Sequence, residues 1–142
     1  MRHLEQMRDM KENNRITSED SKATKLEKQT RMLRNMINLR LDLLNEDWGR
    51  YPGNLLHEIA KRYRVTGGSM QCRRILKRMA HKNVESDRPT GWRVSAIERL
   101  KEEKEFFLLG GSHGPSLTVP IKVDENNKVS VDRVALGFMG LE

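Results

Sequence analysis

Apolar residues along this chain recur first at helical spacing and, near the end, at every second position. From about Glu19 to Asn45 nothing breaks a helix. Leu26, Leu33, Ile37, Leu41 and Leu44 recur on one face there, and Met32, Met36, Leu39 and Leu43 widen the stripe. Thr17 and Ser18, followed by Glu19 and Asp20, predict its start, because a hydroxyl can cap free amides and acids suit the positive end of the helix dipole. Residues 1–16 read as a weaker helix of alternating charge, with Leu4 and Met7 as its main apolar points. The stripe is too broad for a solitary solvated helix. It serves either as a seam between subunits or as packing onto the residues that follow. Arg40 interrupts it and fewer than three clean heptads survive, which favours packing.

Asp47-Trp48-Gly49-Arg50-Tyr51-Pro52-Gly53 predicts a turn, from two glycines and a proline within five residues. Asn54 is then expected to cap a helix to about Tyr63 that buries Leu55, Leu56, Ile59, Ala60 and Tyr63. Val65-Thr66-Gly67-Gly68 ends it. Ser69 should cap a further helix to about Lys82, with Cys72, Ile75, Leu76 and Met79 on one face. Arg88-Pro89-Thr90-Gly91 predicts another turn, after which Trp92-Arg93-Val94 can form a short strand. Ser95 and Glu98 have the spacing of a capping box, opening a helix to about Phe107. Beyond Gly110-Gly111 the period changes. Leu117, Val119, Ile121 and Val123 alternate, Asp124–Asn127 make a turn, and Val129 and Val131 alternate again, which predicts a β-hairpin. Pro120 cannot donate a ladder bond, so its strand should be an edge or turn that position outward. The fold class expected is mainly α: a small helical domain with a long N-terminal helix and a C-terminal β-hairpin.

Charge divides the chain into three segments. Residues 1–47 hold ten Lys/Arg against nine Asp/Glu, residues 48–93 hold eleven against three, and residues 94–142 hold six against eight. The middle segment therefore carries a net +8 in a chain whose total is +7. Such a concentration attracts polyanions, and nucleic acid is the commonest of these inside a cell. Solvated charge kept for solubility explains mixed signs, as in the first segment, better than it explains this imbalance.

The middle segment also resembles the helix-turn-helix family of DNA-binding modules. The stretch is Glu58-Ile-Ala-Lys-Arg-Tyr-Arg-Val65, Thr66-Gly67-Gly68-Ser69, then Met70-Gln-Cys-Arg-Arg-Ile-Leu-Lys-Arg-Met79. Ala60 is small where two helices must cross, while Ile59, Tyr63 and Val65 supply a wedge on which Ile75, Leu76 and Met79 can rest. The resemblance implies a second helix lying in the major groove. Gln71, Arg73 and Arg74 would then read bases, and Lys77, Arg78 and Lys82, with Arg62 and Arg64 of the preceding helix, would grip phosphates. Arg88 and Arg93, on a wing after the second glycine turn, would touch a neighbouring phosphate. Two departures stand out. The glycine usual before the valine is replaced by Arg64, and the connection is about two residues longer than the common form. The pattern covers about 25 of 142 residues. Its alternative is an ordinary helical hairpin with a basic solvated face.

Other chemistries find little support. Gly110-Gly111-Ser112-His113-Gly114 has the G-x-S-x-G form of an esterase elbow but lacks the strand before it and the helix after it. His3, His57, His81 and His113 are scattered without metal-ligand spacing, and Cys72 is the only cysteine. No phosphate-cradling glycine motif occurs. Cys72, expected to be buried, should be inert. No catalytic residue, metal or cofactor is expected. Neither a signal peptide nor an apolar run long enough to span a membrane is apparent, which suggests a cytoplasmic protein. The sequence reading is thus a non-enzymatic, sequence-specific DNA-binding protein. It would act as a small transcriptional regulator or a viral or phage DNA-recognition protein, with Leu26, Leu33, Ile37, Leu41 and Leu44 or the hairpin available for homo-oligomers. RNA binding within a ribonucleoprotein and a protein-interaction or assembly role are the alternatives.

Overall fold

The computed structural model of the chain describes residues 2–48, 52–109 and 117–141. Gly49, Arg50 and Tyr51 of the first predicted turn, and the Gly110–Gly114 connector, lie outside them. In order, the elements are α1 (Arg2–Asn45), α2 (Pro52–Arg62), α3 (Gly68–Met79), α4 (Pro89–Glu103), β1 (Glu105–Leu109), β2 (Leu117–Val123), β3 (Val129–Val131) and α5 (Arg133–Phe138). The fold is mainly α with a small antiparallel sheet of order β1-β2-β3 at its C-terminal end. There are two compact units, Met1–Leu33 and Arg34–Glu142, and the boundary falls inside α1.

The helix expected to begin near Thr17 is part of one uninterrupted helix from Arg2. No glycine or proline stands in its way, so residues 17–20 lie within the helix and not at its start. Its apolar stripe divides in two. Ile37, Leu39, Leu43 and Leu44 are buried and Leu41 is half-buried, whereas Leu26 and Met32 are exposed. From Ile37 onward the stripe belongs to the core of Arg34–Glu142 and is not open as a subunit seam.

α2 starts at Pro52, two residues before the expected cap at Asn54. A proline at the first helical position loses no bond, since that amide would be unpaired anyway, and its fixed φ already suits a helix. Leu56, Ile59 and Ala60 are buried as predicted, while Leu55 and Tyr63 are half-buried. In α3, Cys72, Ile75, Leu76 and Met79 are all buried, again as the spacing predicts. Burial pushes the Cys72 thiol pKa up, which keeps it protonated.

The largest departures lie between Pro89 and Leu109. Arg88–Gly91 is not a turn followed by a strand: α4 begins at Pro89, and Trp92, Arg93 and Val94 are helical. The segment before it lies against the helix start. The Trp92 indole donates to the Ser86 carbonyl at 2.7 Å, and a Cβ on Gly91 would stand 2.1 Å from the Ser86 Oγ, so only glycine fits there. Ser95 is consequently mid-helix and caps nothing; its Oγ accepts from the His81 amide at 3.0 Å. α4 also ends early, at Glu103. Lys104 takes up the left-handed conformation (φ 58°), and the chain reverses directly into β1, so Phe107 lies in a strand and not in a helix.

The predicted hairpin forms, with Ile121 opposite Val131 and Val123 opposite Val129. β1 adds a third strand against β2, pairing Glu105 with Pro120 and Phe107 with Thr118. β2 is therefore central, not an edge. Pro120 is tolerated because it stands where the partners change: residues 117–120 pair with β1 and residues 121–123 with β3. The outer edge of β3 is closed by a side chain. The Asn45 amide donates to the Val129 carbonyl (2.7 Å) and accepts from the Val129 amide (2.8 Å), as a neighbouring strand would. α5 follows, capped by Asp132, whose side chain accepts from the Val134 amide at 3.0 Å.

Candidate nucleic-acid interface

Five residues, 63–67, join α2 to α3. The end of α2 is a Schellman motif: the Val65 amide donates to the Ala60 carbonyl (2.9 Å) and the Arg64 amide to the Lys61 carbonyl (3.3 Å). This closure requires a left-handed residue at Arg64, and Arg64 adopts it with φ 49°. Arg64 thus occupies a left-handed position that glycine usually fills at a helix end. A non-glycine side chain there costs about 1 kcal/mol. Gly67 and Gly68 continue the turn with φ of 92° and 63°, a conformation that disfavours any side chain.

On α3, helical geometry of about 100° per residue sets Cys72, Ile75, Leu76 and Met79 within an arc of about 100°. Arg73, Lys77, Met70, Arg74 and Arg78 fall in that order within an arc of about 140° on the other side. The burial agrees: Met70, Arg74, Lys77 and Arg78 are exposed, and Gln71 and Arg73 are half-buried. α3 contains no acidic residue. Among the described residues, no carboxylate forms an ion pair with any of its four cations. Arg73 is the least free of these, because its Nε is buried without a partner. Lys77 stands 5.4 Å from the centroid of the Trp92 ring, so that ring supports a cation and is half-buried beneath it.

The ten residues singled out from the sequence separate into groups. Arg74, Lys77 and Arg78 lie on the outer face of α3, with Gln71 and Arg73 at its margins. Arg64, Lys82 and Arg88 are exposed in the adjoining connections, Arg88 at the N-cap of α4. Arg62 and Arg93 are spent internally. Arg62 Nη1 lies 2.7 Å from Asp42 and 3.0 Å from Glu46; bonds to both hold its pKa above the ordinary arginine range. Arg93 donates from Nε to the Leu44 carbonyl at 2.8 Å and stands 5.9 Å from the Trp48 ring centroid. Burial lowers its pKa, against a smaller opposite effect from Asp47. With no wing to carry it, Arg93 fastens α4 to the end of α1.

Sequence reasoning missed two participants. Arg99 donates from Nη1 to the carbonyls of Arg78 (3.3 Å) and Ala80 (3.1 Å), so a cation from α4 satisfies the C-terminal end of α3. No local pattern relates residues 19 to 21 positions apart. Met70 was also overlooked; its position opposite the buried stripe was a readable signal. No group of three potential metal ligands occurs among the described residues, and no helix there is long and apolar enough to cross a membrane. No known protein family, characterised protein or solved structure matches this chain.

Proposed function

We propose that this protein binds DNA through the exposed face of α3. The carrying observation is that Arg74, Lys77 and Arg78 share one exposed face, with no carboxylate of the described chain paired to them. Twelve residues of helix extend about 18 Å, and a helix fits the major groove, about 12 Å wide. In that pose Arg74 and Gln71, near the helix start, reach base edges, and Met70 offers an apolar contact to a thymine methyl group. Lys77, Arg78, Lys82, Arg64 and Arg88 meet phosphates. Arg73, partly held in the protein, orients the helix more than it reads sequence. A small regulator or a recognition subunit for a viral or phage genome would use such a face, from within the cytoplasm. Leu33 is buried, so Leu26, which is exposed, is the part of the stripe left for self-association.

Gel-shift titration of duplex DNA, duplex RNA and single strands tests this reading at two salt concentrations. Duplex DNA should bind most tightly. Five phosphate contacts would weaken binding about 500-fold between about 50 and 200 mM salt. The double variant Arg74→Ala, Lys77→Ala leaves the core untouched and should lose about 100-fold in affinity. Unchanged affinity in that folded variant would overturn the assignment, and preference for duplex RNA or single strands would redirect it.

A further inference from the structure

Beneath β1 the fold leaves a cleft of about 210 Å³. Its charged lining is Arg40 from α1, Arg78 from α3, Arg99 and Glu103 from α4, and Glu105 from β1. Ile75, Met79 and Leu100 supply apolar wall. We propose that this cleft binds a small organic anion, with its carboxylate or phosphate group meeting Arg40 and Arg78 and its apolar body resting on Ile75 and Met79.

Arg40 is only 9% exposed. A guanidinium so deep normally finds acceptors for its donors, because leaving a buried charge uncompensated is strongly unfavourable. Arg40 finds few. Its Nη1 donates to the Met36 carbonyl at 2.9 Å, and its Nε, fully buried, has no partner. The charged group it feels most is Arg78, which is also positive; burial first, and then that repulsion, push the Arg40 pKa down to about 10.

The chain's own acids do not answer this charge. Glu103 is engaged by Arg99 at 3.0 Å, and among the described residues Glu105 forms no ion pair. Two cations of like sign, one of them buried, thus border an open space with apolar walls. An anion there would lower the energy of both. Arginine's planar fork suits the two oxygens of a carboxylate or phosphate, and the walls favour a ligand with hydrocarbon attached over a bare ion. This inference does not depend on nucleic-acid binding, and it is read on the protein alone.

The experiment follows the Nε–H signals of the arginines by ¹H–¹⁵N NMR in the full chain. Sodium hexanoate, inorganic phosphate and sodium chloride are titrated at matched ionic strength. Hexanoate or phosphate should give a saturable shift of the Arg40 signal and raise the melting temperature by mass action, whereas chloride should not. Response to hexanoate alone assigns a carboxylate ligand, response to phosphate alone a phosphorylated one, and response to both the shared chemistry. Arg40→Met should fold and be more stable than the parent while binding at least about tenfold more weakly. Arg78→Gln, at an exposed position, should weaken binding without disturbing the core. No saturable shift with either anion, or equal affinity in both variants, would overturn the proposal.

Discussion

On α3, Arg74, Lys77 and Arg78 stand in solvent with no carboxylate of the described chain paired to them. Around the end of α1, two other arginines are turned to the protein itself. Arg62 is held between Asp42 and Glu46, and Arg93 by the Leu44 carbonyl and the Trp48 ring. The side chain is the same; what differs is which acceptors the fold brings within reach. Arginine can cover apolar surface with its stem and still satisfy its fork, so high arginine content marks a polyanion surface only where the forks stay empty. The +8 of residues 48–93 therefore overstates the charge available to a partner.

Substitutions can break this comparison, taken from the largest expected effect down. Arg93→Ala should destabilise by about 2 kcal/mol, through the lost carbonyl bond and the contact with Trp48, while changing DNA affinity much less than the α3 double variant. Chemical denaturation and gel shift on the same preparation would check both halves. Large loss of affinity in a fully folded Arg93→Ala would place this residue back at the interface.

Arg64→Gly separates stability from charge in the opposite sense. Relief of the left-handed conformation should raise stability by about 1 kcal/mol, and removal of an exposed cation should lower affinity and reduce the salt slope by about one. A melting temperature that falls would show that the Arg64 side chain contributes to the fold.

Tyr63 provides a test by pH. Its hydroxyl donates to the Asp42 carboxylate, the group that also holds Arg62. Burial and this bond raise the phenol pKa to about 12, from an ordinary 10. A raised folded pKa means that the native state holds the proton longer. The associated stability is thus fully present below pH 10 and is lost as pH rises toward about 12. Tyr63→Phe should cost about 1 kcal/mol at neutral pH. The gap from the parent should close between the two values, in denaturation curves collected across that range.

Arg62→Ala should have the smallest effect. Its ion pairs are exposed, so the loss of thermal stability should be slight and should shrink with added salt, and DNA affinity should stay near that of the parent. A drop in affinity comparable with that of the α3 double variant would mean that the carboxylates release Arg62 to nucleic acid, and the contrast between the two regions would fail.

Local patterns made much of the candidate interface legible. Apolar residues at helical spacing determined that Leu56, Ile59 and Ala60 face inward from α2 and Cys72, Ile75, Leu76 and Met79 from α3. That spacing alone placed Arg74, Lys77 and Arg78 on the opposite side, and alternation of Leu117–Val123 with Val129–Val131 predicted the hairpin. These features depend on residues a few positions apart, whose relations the backbone period sets directly.

Tertiary structure decided the rest. Glu105–Leu109 became a strand because β2 offered it a partner, and Pro89–Val94 became helix because Ser86 and Trp92 closed over its first turn. The fate of each arginine was likewise decided at long range. Arg93 meets a carbonyl 49 residues away, Arg62 meets carboxylates 16 and 20 away, and Arg99 reaches back to the end of α3. A guanidinium on a long flexible stem reaches partners beyond its own helix as readily as within it, so only the folded chain determines whether its charge faces water or is consumed within.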